Sequence, residues 1–131
     1  MKIKKFKLTV YIILAIFTSV LVGCSAKNYP QNEEGVYQAQ SATLGKDAIR
    51  LKGRILSKAQ KVSDRLSYEI EVMEVLNQGA TFAAVEPRVS ERVILYTTSR
   101  MKLKRNSEVI FDALSPLSRG ADRLVLNMIV E

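Results

Sequence analysis

The chain has 131 residues, a formal net charge of +7, one cysteine and no histidine. The missing histidine excludes an imidazole base, a Ser-His-Asp triad and a histidine metal ligand. The sequence also contains no D-x-[DN]-x-[DN]-G calcium loop and no glycine-rich phosphate loop. We therefore expect a protein that is not an enzyme and that has no catalytic residues, no cofactor and no metal site.

The first 23 residues have the pattern of an export signal. Four lysines lie within residues 2–7, and a run of fifteen mostly apolar residues follows from Leu8 to Val22. A basic start, a short apolar stretch and a small-residue exit are typical of a secretory signal. A spanning helix needs roughly 20 apolar residues, and this run stops at Gly23. The pattern favours a signal peptide over residues 1–23 rather than a transmembrane anchor.

The end of this run, Leu21-Val22-Gly23-Cys24, resembles the lipobox of bacterial lipoproteins. The resemblance implies cleavage between Gly23 and Cys24 and attachment of diacylglycerol to the Cys24 thiol. Two or more acyl chains anchor a protein stably, whereas one binds only marginally. In the same family, Ser25 is a sorting position permissive for export to the outer membrane of a Gram-negative cell. This implies a membrane-held protein, facing the periplasm, whose lone cysteine is the lipidation site.

Removal of the signal changes the meaning of the charge. Four of the twenty Lys and Arg residues leave with it, so sixteen remain against thirteen Asp and Glu, a net charge of about +3. The basic character belongs largely to the export signal, which makes a nucleic-acid partner unlikely on this ground. The remaining 108 residues are enough for one domain that buries about 65% of its unfolded surface.

The segment from Ser25 to Gly45 is polar, contains Pro30 and Gly35, and shows no sustained periodicity. It predicts a flexible tether over residues 24–47, whose ends would lie roughly 25 Å apart. The alternative is that Tyr29, Val36 and Tyr37 dock onto the domain or onto a partner.

From residue 48 onward the apolar residues alternate with polar ones, as in half-buried strands. Gly53 indicates a bend in the first strand. Near Val72–Met73 the apolar residues change from even to odd positions, which indicates a bulge. Phe82 is expected to pack into the core from a loop. The alternation predicts five strands, at residues 48–57, 66–76, 92–98, 108–114 and 123–130. We expect an all-β domain over 48–131, a small five-stranded OB-like barrel or sandwich.

Two groups of cations are candidate binding residues. The first is the stripe Arg50, Lys52 and Arg54 on one face of the first strand, for which pairing with Glu69 and Glu71 of the next strand is the structural explanation. The second lies between the third and fourth strands, in a loop for which solvation alone is the competing explanation. Together they predict a patch for an acidic protein, anionic lipid, glycan or nucleic acid: Arg100, Lys102, Lys104, Arg105, Arg50, Lys52 and Arg54.

The stretches at 74–79 (EVLNQG) and 106–111 (NSEVIF) are similar to motifs of netrin-like OB barrels. That resemblance, over 48–131, implies an enzyme inhibitor acting through an exposed N-terminal segment. The expectation that we prefer is a lipid-anchored envelope protein with an envelope protein partner, serving as a structural or interaction module and as an accessory of a secretion, pilus or outer-membrane assembly. The alternatives are an OB-type module for an anionic glycan or nucleic acid, and a netrin-like inhibitor of an envelope enzyme.

Overall fold

A computed structural model describes residues 29–98 and 102–129, and within them the regular structure is all β, without a helix. The alternation seen in the sequence places apolar side chains on one face of each long strand, which drives sheet formation. The seven strands are β1 Tyr37–Ala39, β2 Ile49–Ile55, β3 Gln60–Val62, β4 Arg65–Gln78, β5 Arg92–Thr98, β6 Glu108–Leu114 and β7 Val125–Met128.

Five of these strands close into a barrel. The order is β2-β4-β5-β7-β6, and β6 returns to pair with β2. All pairings around the ring are antiparallel except that of β5 with β7, which is parallel. Closure leaves few open edges. This is an OB-like arrangement of five strands, and it confirms the predicted fold class and the five predicted strands.

The core fills the barrel with the inward side chains that the alternation predicted. The largest fully buried ones include Tyr68, Phe111, Ile49, Leu51 and Leu95. Phe82 packs against this core from the loop between β4 and β5, as predicted. β5 lies between β4 and β7 in the ring, and its outward apolar residues, Ile94 and Tyr96, are half-buried.

Two irregularities let the long strand β4 bend around the barrel. Its register with β2 shifts between Lys52 and Gly53 and again between Arg50 and Leu51. The first shift leaves Met73 without a partner on β2, which confirms the predicted bulge, and the second does the same for Leu76. A Cβ on Gly53 would lie 3.1 Å from Cδ1 of Ile70, so glycine allows the sheet to fold tightly at this point.

The prediction of a flexible tether is wrong for the described part of that segment. Tyr29, Val36 and Tyr37 are buried, with 6%, 2% and 1% of their surfaces exposed. A turn held by the Asn32 side chain, which accepts from the Val36 N–H at 2.9 Å, directs the chain into β1. β1 then pairs in parallel with β6, Tyr37 lying opposite Val109. The free energy gained by burying two tyrosines and a valine outweighs the tendency of this polar segment to stay flexible. The folded unit therefore begins before residue 48.

The connection between the first two predicted strands contains β3, which pairs with the start of β4. Ser63 adopts a positive φ of 55° in the tight connection between β3 and β4. Residues 56–64 therefore form a short hairpin-like arm attached to one end of the barrel.

Candidate functional site

The residues of the lipobox lie outside the described part of the chain. These are Leu21, Val22, Gly23 and Cys24. Ser25 and Arg100, the first cation of the basic loop, also lie outside it. The predictions made for them stay predictions.

The antiparallel pairings sort the loops to two ends of the barrel. At one end of the barrel, β2 and β5 finish and β4 and β6 begin. This end therefore carries residues 56–64 and 102–107. We call it the basic end. The loops after β4 and after β6, residues 79–91 and 115–124, lie at the opposite end, which we call the platform end.

Arg50 is held in a buried ion pair. Its Nε and Nη2 donate to the carboxylate of Asp112 at 2.7 and 3.0 Å, and Nη2 also donates to the Ser41 carbonyl oxygen at 2.7 Å. The Asp112 side chain is fully buried. Hydrogen bonding to this carboxylate raises the pKa of the Arg50 guanidinium. Arg50 thus acts as a structural clamp between β2 and β6.

The rest of the basic stripe faces acidic side chains as well. Lys52 Nζ lies 3.8 Å from Glu108 Oε1, and Arg54 lies across from Glu71 on β4. The predicted pairing of the stripe with Glu69 is wrong, because Arg123 holds Glu69 at 2.8 Å instead. The stripe is therefore largely engaged in holding neighbouring strands together.

The second group of cations gathers in one groove at the basic end. The groove is formed around Ala59 and Leu103 by four exposed cations: Lys58, Lys102, Lys104 and Arg105. We call these four residues the basic groove. Arg105 Nε also donates to the Leu56 carbonyl oxygen at 3.2 Å, which ties the two loops together. Lys58 could not be recognised from the sequence as a member of this cluster, because it lies 44 positions before Lys102, the nearest of the other three.

The segment that carries the basic groove is fixed by Leu103. Its side chain is 4% exposed, and its backbone N–H donates to the Tyr68 hydroxyl at 3.0 Å. Burial raises the pKa of Tyr68, although this hydrogen bond acts in the opposite direction. Leu103 closes the basic end of the barrel and holds its two lysine neighbours at the surface.

The two loops of the platform end are joined to each other. The Val85 N–H donates to the Pro116 carbonyl oxygen at 2.9 Å, and Arg119 Nη1 lies 2.6 Å from Glu91 Oε2. The hydrogen bonds from Arg119 lower the pKa of Glu91, with burial opposing them. We call the joined loops, residues 79–91 and 115–124, the loop platform. It exposes two large apolar side chains, Val89 at 63% and Leu117 at 86%.

The outer face of β4 and β5 corresponds to the surface by which OB folds bind oligonucleotides and oligosaccharides. Here this face carries one half-buried aromatic residue, Tyr96, among the residues described. Glu69 on this face is already paired, with Arg92 at 3.9 Å and with Arg123 at 2.8 Å. Binding of single strands usually needs several aromatic platforms and a positive groove. The described face offers little of either.

Other common kinds of site are absent from the described residues. No group of three His, Cys, Asp or Glu side chains in 29–98 and 102–129 is placed to hold a metal ion. Within the same ranges no helix has the length and apolarity needed to cross a bilayer. In comparisons with protein families, curated proteins and solved structures, the chain matches none of them.

Proposed function

We propose that this protein is a lipid-anchored component of the bacterial cell envelope, where it serves as a structural or protein-interaction module. The observation that carries the proposal is the lipobox Leu21-Val22-Gly23-Cys24 at the end of a lysine-led apolar run. Acyl chains on Cys24 supply the membrane attachment, and Ser25 directs the protein to the outer membrane, facing the periplasm. The setting that we favour is an accessory role in a secretion, pilus or outer-membrane assembly.

The loop platform supports the interaction role. Val89 and Leu117 are large apolar residues with most of their surface in water, on loops that hydrogen bonds and an ion pair hold together. Interface cores combine apolar side chains with a polar rim, and Arg88 and Glu86 supply such a rim. A partner protein of the envelope would bind here.

Two observations weigh against the alternatives. Arg50 and Lys52 are engaged with Asp112 and Glu108, which removes them from a surface for an anionic glycan or nucleic acid. A netrin-like inhibitor needs a free N-terminal segment, whereas Tyr29 and Tyr37 are part of the barrel core.

The anchor is tested with the variant Cys24→Ala. We expect it to lose incorporation of a palmitate analogue and to leave the membrane fraction, because the chain has one cysteine and thus one thiol for diacylglycerol. Ser25→Ala is the matched control and is expected to stay labelled and membrane-bound. Labelling that persists in Cys24→Ala would contradict the proposal.

The interaction role is tested by placing charges on the loop platform. We expect Val89→Asp with Leu117→Asp to abolish recovery of a defined envelope protein with the acylated chain, because a buried charge without a partner is costly in an interface. Both side chains are exposed, so the unfolding free energy should change little. Lys61→Asp, on the exposed strand β3, is the control. Equal recovery from all three proteins would contradict the platform as the binding surface.

A further inference from the structure

The side chain of Tyr29, the first described residue, reaches toward the basic end of the barrel. The Tyr29 hydroxyl donates to the Met128 sulfur at 3.5 Å, and Met128 is the last residue of β7, which runs parallel to β5. The Tyr29 side chain also lies near Thr98, at the end of β5, and near Tyr68, the residue that holds Leu103. The Tyr29 side chain therefore lies on the side of the barrel that carries Lys102 and Lys104.

The distance from Tyr29 to the proposed anchor is short. Five residue steps separate it from Cys24, and five steps of chain span at most about 18 Å in any conformation. The attraction of a cation to a charged surface falls off over about 8–10 Å in physiological salt. An acylated Cys24 therefore keeps Tyr29 within about two screening lengths of the headgroups, from where a rotation of the barrel brings the basic end into range of that attraction.

The charges of the two ends differ in how they are balanced. Lys58, Lys102 and Lys104 form no ion pair with any described residue, and they project from the surface. On the loop platform, three cations are balanced by three acidic residues: Arg88, Arg119 and Arg123 against Glu86, Glu91 and Asp122, with Arg119 paired to Glu91. The unbalanced positive charge thus lies at the basic end.

We propose that the basic groove binds the anionic headgroup surface of the bilayer. The barrel then stands with its basic end on the membrane and its loop platform turned away from it, toward a partner. This rests on the proposed lipid anchor for its setting, and it adds an orientation and a lipid class, anionic phospholipid. Each basic residue at such a surface contributes roughly fivefold to binding.

The test uses the chain from residue 24 with Cys24→Ser, which keeps every described core residue and removes acylation from the measurement. We expect it to sediment with vesicles of phosphatidylcholine and phosphatidylglycerol, and not with vesicles of phosphatidylcholine alone. Lys102→Glu with Lys104→Glu should weaken this binding by about 25-fold or more. Added salt should weaken it as well.

The matched control is Lys46→Glu with Arg92→Glu, the same charge change on exposed residues away from the basic groove. It is expected to keep the binding of the parent. Equal binding to neutral vesicles, equal loss in both double variants, or binding to single-stranded oligonucleotide in place of vesicles would overturn the proposal. Because this chain carries no lipid, none of these outcomes depends on whether Cys24 is acylated in the cell.

Discussion

Replacing Arg50 with methionine is expected to lower the free energy of unfolding by about 3–5 kcal/mol, because removing one partner of a buried ion pair leaves the other charge uncompensated. The Asp112 carboxylate is fully buried and takes two hydrogen bonds from Arg50. In the variant, the Ser41 backbone N–H, at 3.0 Å, is the donor that remains among the described residues. Urea unfolding followed by circular dichroism measures the loss.

Lys52→Met is the control for this prediction. Lys52 lies two residues further along the same strand and the same face, but its contact with Glu108 is longer, at 3.8 Å, and more exposed. An exposed pair is worth roughly 0–1 kcal/mol, so this variant should be nearly as stable as the parent. The double variant Arg50→Met with Asp112→Leu should recover part of the loss, since apolar residues often replace a buried ion pair without cost. A similar effect of Arg50→Met and Lys52→Met would contradict the structural role of Arg50.

Strand positions were predictable because burial on one face imposes a two-residue period on the sequence. Residues 108–114 show the limit of that rule. Val109, Phe111 and Ala113 lie inward as the pattern predicts, and Asp112 falls on the outward side, yet it is fully buried. It is covered by Arg50 from β2 and by the chain at Ser41. That burial depends on contacts with residues 62 and 71 positions away in sequence, which the local alternation of apolar and polar residues does not reveal.

The same reason explains what the sequence analysis missed at the basic groove. Cations that are close in sequence can be recognised directly as a cluster. Lys58 joins them only because the end of β2 lies beside the segment that precedes β6. The Asn106 N–H donates to the Ile55 carbonyl oxygen at 2.7 Å and the Ile55 N–H to the Ser107 carbonyl oxygen at 2.8 Å. Barrel closure thus assembles the groove and also separates Arg50 and Lys52 from it.

The segment before residue 48 was the largest error of prediction, and its cause is compositional. Pro30, Gly35 and many polar residues are typical of a linker, and β1 has three residues, too few to show a period. Its place is set by Tyr29, Val36 and Tyr37, which were visible in the sequence but whose pockets exist only after the barrel forms. The consequence is functional, since this packing shortens the reach between the barrel and Cys24.

Tyr37→Ala is therefore expected to have an effect as large as that of Arg50→Met, a loss of about 3–5 kcal/mol, as is typical when a large buried aromatic residue is truncated. Tyr37 is 1% exposed and is the first residue of β1, opposite Val109. Urea unfolding measures the loss, and hydrogen exchange at the amides of residues 37–39 shows whether β1 has detached. Tyr96→Ala removes the same side chain from the half-exposed outer face and should cost much less.

A loss below about 1 kcal/mol in Tyr37→Ala would mean that residues 29–41 act as the tether first predicted. The first fixed residues would then be those at the start of β2, about 24 steps from Cys24, with an r.m.s. separation of roughly 25–30 Å if the chain is flexible. The limit of about 18 Å would no longer hold the basic end against the headgroups. The stability of β1 is thus the physical link between the fold of the barrel and its orientation on the membrane.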